Sequence, residues 1–260
     1  MSWNLKTKGI VNKSLDDVEV TKDRIRIIDE KYILKKIYEE RYRFFLKNLS
    51  GGNEAKTVEI GSGAGFIKEI IPNAITSELL KLPNVDMHFS ALDMPFEDES
   101  VDNFLMIDVL HHIPDIYKLF SEINRCLKKG GKLIFTEPAN TLWSRFIYQN
   151  FHHETFNPKA DWTFVSQGPL SDANGALPYI VFERDINKFN ELYPNFKITY
   201  FKKHSPIKYL ISGGFTMKQL LPNFMFPVVN VFEKVVTPLN SLFGMFETII
   251  IQKNELPIPI

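Results

Sequence analysis

The residues Glu59-Ile60-Gly61-Ser62-Gly63-Ala64-Gly65 combine a carboxylate with three glycines at alternate positions, directly after an apolar run that begins at Thr57. A strand feeding such a turn lets a ligand approach the backbone closely, because glycine has no Cβ to fill the space. Two ligand chemistries compete for a turn of this kind. A dinucleotide pyrophosphate calls for G-x-G-x-x-G, and here the third glycine position holds Phe66. Glu59 would repel a pyrophosphate but suits an ammonium, such as that of a methionine moiety. Farther along, Glu78 follows a short predicted strand at 74–76. A carboxylate there can accept hydrogen bonds from both hydroxyls of a ribose.

Three further blocks follow in order: Ala91-Leu92-Asp93-Met94-Pro95-Phe96, Val109-Leu110-His111-His112-Ile113-Pro114-Asp115 and Leu127-Lys128-Lys129-Gly130-Gly131. With Val58–Gly65 they resemble, over residues 55–138, the class I S-adenosylmethionine-dependent methyltransferases, and within them a type 11-like subgroup. The resemblance implies S-adenosylmethionine as cofactor. It implies that Glu59 and Gly61 hold the methionine portion, with Ser62, Gly63 and Gly65 completing the turn, and that Glu78 holds the ribose. Ala91 and Leu92 would line the adenine, beside Ser90 where family members commonly carry an aspartate. Asp108, at the end of the fourth strand, would pass beside the sulfonium.

Methyl transfer to a hydroxyl needs a positioned nucleophile and a group that takes its proton. Candidates are His112 after the fourth strand, Glu137 at the end of the fifth, and the run His152-His153-Glu154. Each has a structural alternative. The His111-His112 pair can serve the cofactor pocket, Glu137 can cap a neighbouring element, and His152–Glu154 can be a hydrogen-bonded loop. Three adjacent ligands close poorly on one ion, so no metal is expected there. The expected function is methyl transfer to a small-molecule, glycan or lipid-linked acceptor at oxygen. The alternatives are a non-catalytic Rossmann-like protein that binds the cofactor or a partner, and a nicotinamide-dependent oxidoreductase.

The elements that must position these residues alternate strand and helix, so the expected fold is α/β: a Rossmann-like, seven-stranded, mostly parallel sheet with helices on both faces. Predicted strands lie at 57–60, 74–76, 85–89, 104–107 and 132–136, with a closing pair at 196–201 and 248–251. A first helix is predicted from Gly63 to Ile71, stopped by Pro72, and another over 116–127. Between strands two and three only a very short helix, or a loop around Leu82-Pro83-Asn84 in its place, can fit. Residues 1–54 read as a helical extension, 55–138 as the cofactor-binding core, 139–195 as a substrate-side insertion and 196–260 as completion of the sheet. Within the insertion, Trp143, Phe146 and Tyr148 are expected to pack together on one helix face. Helical segments are expected at 217–221 and 226–236.

Composition narrows the function classes. Across 260 residues, 31 Lys and Arg balance 31 Asp and Glu, so no global field points to nucleic acid. Residues 1–50 and 196–260 each carry a net charge of +4, which leaves the middle acidic, as suits a sulfonium. The single cysteine, Cys126, excludes a disulfide framework and favours a cytoplasmic setting. The N-terminal residues lack the apolar stretch of a signal peptide. Residues 220–246 are strongly apolar but broken by Pro222, Pro227 and Pro238. They read either as core or as a surface lying against lipid, which would make the protein membrane-associated.

Overall fold

The computed structural model describes residues 17–63, 65–152, 154–166, 168 and 172–254. Seven strands form one sheet: β1 (Thr57–Glu59), β2 (Ile75–Glu78), β3 (Met87–His88), β4 (Val101–Ile107), β5 (Leu127–Pro138), β6 (Phe196–His204) and β7 (Phe246–Lys253). Their spatial order is β3-β2-β1-β4-β5-β7-β6. The first five are mutually parallel, and β7 runs antiparallel to both neighbours. The order turns between β1 and β4, so the carboxyl ends of these strands open a crevice there.

The central strands are apolar on both faces because both are covered. On β4, Phe104 and Met106 join the cluster that includes Ile116, Phe120 and Ile123 of α3 (Ile116–Cys126). Leu105 and Ile107 face the opposite cluster, with Tyr38, Tyr42 and Phe45 of α2 (Tyr32–Asn48) and Ile27 and Ile28 of α1 (Val18–Glu30). This alternation is the period-two signature of a strand. Asp17 caps α1 and Asp115 caps α3, each accepting a backbone N–H of the first turn.

The predicted first helix is absent. Among the described residues of 63–71 there is only a single 3₁₀ turn, Ile67–Glu69. Gly61 and Gly63 have positive φ, and Pro72 follows too soon for a helix to repay its nucleation cost. Between β2 and β3 a loop replaces the crossover helix, as expected. Asp86 holds it by accepting from Thr76 N and Oγ1, both at 2.8 Å.

The segment after β5 carries α4 (Leu142–Phe151), α5 (Leu177–Tyr179) with a π-turn at Ile180–Arg184, and α6 (Ile186–Leu192). The aromatics of α4 do not share one buried face: Tyr148 is buried, while Phe146 is half exposed and stacks on Trp143. The helix expected at 217–221 lies earlier, as α7 (Lys208–Ser212). Gly213 and Gly214, both left-handed, end it. The chain then continues to α8 (Phe226–Val235) and α9 (Asn240–Phe243).

Candidate functional site

The glycine turn and the ends of β1, β2 and β4 surround a cavity of about 440 Å³. Glu59, Gly61, Ser62, Gly63, Gly65, Glu78, Ser90, Ala91, Leu92 and Asp108 all line it, and Thr21, Arg24 and Ile28 of α1 contribute a wall. Gly61 sits at φ 67°, and a Cβ there would lie 2.6 Å from Val109 Cγ2. Gly65 has no room either, since a Cβ would lie 2.8 Å from the Ser62 carbonyl. Gly63 N donates to Glu78 Oε2 at 3.0 Å, and Leu79 N donates to Oε1 at 2.8 Å. Backbone donors thus aim the Glu78 carboxylate. Burial nonetheless raises its pKa.

Glu59 is 2% exposed and carries an oxygen, Oε2, with no hydrogen-bond partner among the described residues. Burial raises its pKa to about 7, against hydrogen bonds from Ser62 and the Tyr42 hydroxyl that lower it. A buried acid with an unanswered oxygen is costly unless a donor arrives. Ser90 is partly committed, because its Oγ accepts from Leu92 N at 3.1 Å. Asp108 adopts φ 56° at the end of β4 and accepts from Arg41 Nη1 at 3.0 Å, while its Oδ1 has no partner among the described residues.

A second group lies beside the cavity. Glu137 is fully buried. Its Oε1 accepts from Val109 N at 2.8 Å and Leu110 N at 2.7 Å, and its Oε2 lies 2.5 Å from His111 Nδ1. The other nitrogen of His111 lies 3.4 Å from Glu154 Oε2. Burial alone would lower the His111 pKa, but Glu137 and Glu154 hold it well above the usual range. Glu154 also lies 3.8 Å from His112 Nε2 and 3.7 Å from His152 Nδ1. These imidazoles keep its pKa well below the usual carboxylate range, in spite of burial. Burial, with the neighbouring His111, lowers the His112 pKa to about 3.

A model of the methyltransferase domain matches residues 58–135. A demethylmenaquinone methyltransferase from Symbiobacterium thermophilum is 33% identical over 102 residues, which are 38% of this chain and 39% of that protein. The chain therefore spans well under two thirds of that relative. Two solved structures share the fold. A methyltransferase from Thermotoga maritima has a TM-score of 0.53 at 18% identity, covering 90% of this chain and 99% of that one. One from Archaeoglobus fulgidus has a TM-score of 0.50 at 15% identity, covering 84% and 94%. Residues 58–135 thus match a methyltransferase domain, and the chain shares the fold of these S-adenosylmethionine-dependent enzymes.

The residues lining the cavity fit S-adenosylmethionine. S-adenosylmethionine carries an ammonium, which the unpartnered oxygen of Glu59 can accept. It also carries a ribose diol, which Glu78 stands ready to receive, and the volume lies within the ordinary range for such ligands. The nicotinamide alternative has no equivalent answer for a buried acid under the turn.

The proton-acceptor candidates separate on placement. His112 lines the cavity. Glu137 has no exposure, and it holds the backbone and His111 in place. His152 and Glu154 stand behind His112, and His153 lies outside the described residues. In sequence 111–112, 137 and 152–154 are separate candidates, whereas the fold gathers His111, His112, Glu137, His152 and Glu154 into one cluster, with His111 between Glu137 and Glu154 and the other two imidazoles 3.7–3.8 Å from Glu154. The ligand atoms of His111, His112 and Glu154 lie within 4.8 Å of one another. Two imidazoles and a carboxylate are a set that can hold a divalent ion. This is a different triplet from the consecutive one at 152–154. His111 already spends one nitrogen on Glu137 and turns the other toward Glu154.

Arg41 escaped the sequence reading. It is buried between the rings of Tyr38 and Phe246, 5.3 and 4.4 Å from their centroids, and it carries the ion pair to Asp108. The available signal was a cation within the apolar face of α2, one residue before Tyr42.

Proposed function

We propose that this methyltransferase moves a methyl group from S-adenosylmethionine to an oxygen of a small-molecule, glycan or lipid-linked acceptor. The observation that carries the reading is the buried, half-unpartnered carboxyl of Glu59 beneath a glycine turn, beside the backbone-aimed Glu78. When bound, the cofactor supplies a methyl group on a sulfonium, open to in-line displacement.

The chain's own residues set the rest. His112 is neutral at working pH, since its pKa is lowered to about 3. Its Nε2 lies 3.8 Å from Glu154 Oε1, the ring also bonds to the Asp172 backbone, and Nδ1 has no partner among the described residues, so a tautomer with its proton on Nε2 leaves Nδ1 as an acceptor. An acceptor hydroxyl can hydrogen-bond to that nitrogen. Glu154 then stabilises the imidazolium that forms, much as a buried carboxylate supports histidine in a hydrolase triad. Glu137 and His111 keep Glu154 and the turn at 109–112 in place.

Methyl-labelled cofactor offered to extracted metabolites and lipids tests the reading. His112→Ala should keep its affinity for S-adenosylhomocysteine within a few-fold and lower label transfer by about 10²–10⁴, the usual worth of a positioned base. Full turnover by His112→Ala would remove His112 from the mechanism. No transfer to any acceptor, with the cofactor product still binding, would leave a binding protein instead.

A further inference from the structure

The segment from Met217 to Phe243 leaves much of its apolar surface in water. On α8, Phe226 and Val229 turn inward, while Val228, Val231, Phe232 and Val235 are 48–72% exposed. The spacing 228, 231, 232, 235 is one face of a helix. Leu242 and Phe243 of α9 extend the exposed apolar surface, and α4, packed against α9, adds Leu142 and Phe146. Apolar exposure on this scale marks a contact surface rather than scattered side chains.

Charge identifies what it contacts. Between Ser205 and Phe246 the only acidic residue is Glu233. It is buried and taken up by the backbone N–H groups of Ile207 and Lys208 and by the Lys208 ammonium. Lys218 and Lys234 are exposed. Helix α4 has no acid and carries Arg145. On the nearby corner of α1 and α2, Asp29, Glu30 and Glu39 each lie within ion-pair distance of Lys35, Arg26 and Lys36 respectively. An apolar face with free lysines and no free carboxylate complements an anionic lipid surface. A second copy would instead set the same lysines against one another.

The same elements build the cofactor cavity. Phe215 lines it, and α1 walls it. Lys31, between α1 and α2, donates to the carbonyls of Gly214 and Met217. Phe226 packs edge-on against Tyr32 at 6.0 Å. We infer that the face formed by α8 and α9 docks on an anionic bilayer and that the methyl acceptor is an amphiphile drawn from it. The acceptor half rests on the methyl-transfer reading above.

Flotation of the full chain tests this, using vesicles of phosphatidylcholine alone and vesicles in which about a third is phosphatidylglycerol. The protein should float with the anionic vesicles. Binding should weaken in salt of about 1 M, where screening acts within about 3 Å. The variant Val228→Glu, Val231→Glu, Val235→Glu should lose more than about tenfold of its vesicle binding. Its affinity for S-adenosylhomocysteine should match the parent, which shows that it folds. Lys218→Glu with Lys234→Glu should lose the preference for anionic lipid. A parent that stays in the buffer with both vesicles overturns the docking proposal, including the case in which it dimerises through this face. So does a triple variant that floats like the parent. Methyl label recovered only in water-soluble product overturns the acceptor half. Vesicle binding without any affinity for S-adenosylhomocysteine would sink the methyl-transfer reading and leave docking standing.

Discussion

Glu59, proposed to pair with the cofactor's ammonium, would couple cofactor capture to pH through one buried side chain. Its pKa is raised from 4.5 to about 7 by burial. A carboxyl whose folded-state value is raised contributes stability below its unfolded value and loses it as pH rises through the folded one. Glu59 therefore opposes folding progressively between about pH 4.5 and 7. Its charged form is the one that pairs with an ammonium. Affinity for S-adenosylhomocysteine should thus be full above neutrality and fall as pH drops below about 7, approaching tenfold per unit. Glu59→Gln should stabilise the free protein at pH 8, flatten that pH dependence and weaken binding by about 10–100-fold, the worth of a hydrogen bond to a charged group. Calorimetric titrations of both proteins across this pH range decide it. A variant that binds as tightly as the parent would mean the ammonium sits elsewhere.

At the level of elements, the end of β5 is fastened to the end of β4 by one side chain. Glu137 takes two backbone N–H groups and the His111 imidazole. Glu137→Ala strands all three in the interior and should cost about 3–5 kcal/mol, as expected when one partner of a buried pair is removed. Glu137→Gln keeps a carbonyl for the two N–H groups and should cost roughly half of that or less. Urea unfolding measures both, and an unchanged slope would show that compactness is preserved. Equal losses for the two substitutions would mean that His111, not the backbone, is what Glu137 secures. Among the described residues no helix is long and apolar enough to cross a membrane. The outward stripe of α8 therefore describes a surface and not a span.

The whole molecule should read out the cofactor as added stability, because the cavity proposed to hold it is lined by the ends of β1, β2 and β4 and walled by α1. S-adenosylhomocysteine at a hundred times its dissociation constant should add about 2.7 kcal/mol. In a chain of this size that is a rise in melting temperature of roughly 5–10 °C. NAD at the same concentration should give none. A thermal scan in which NAD stabilises and S-adenosylhomocysteine does not would revive the nicotinamide alternative.

That Glu59, the glycine turn and Glu78 would meet at one cavity was legible in the sequence because the requirements are local. A turn that must pass close to a ligand needs Gly61 and Gly63 whatever surrounds it, and the carboxylates at 59 and 78 are placed by the strands that carry them. The mostly parallel sheet follows from the same alternation of strand and helix, whereas the order of its strands came only with the tertiary structure. The first helix, placed between the glycine turn and Pro72, misled because the sequence does not report the positive φ that Gly63 adopts at its start. Tertiary structure alone decided the rest. Glu154 reaches His111 and His112 because the segment after α4 folds back over the end of β4, and periodicity carries no information about such a path. The fate of residues 217–243 was also undecidable from the sequence. When both faces of a helix are apolar, only its docking shows that Phe226 and Val229 turn inward while Val228, Val231 and Val235 are left outside.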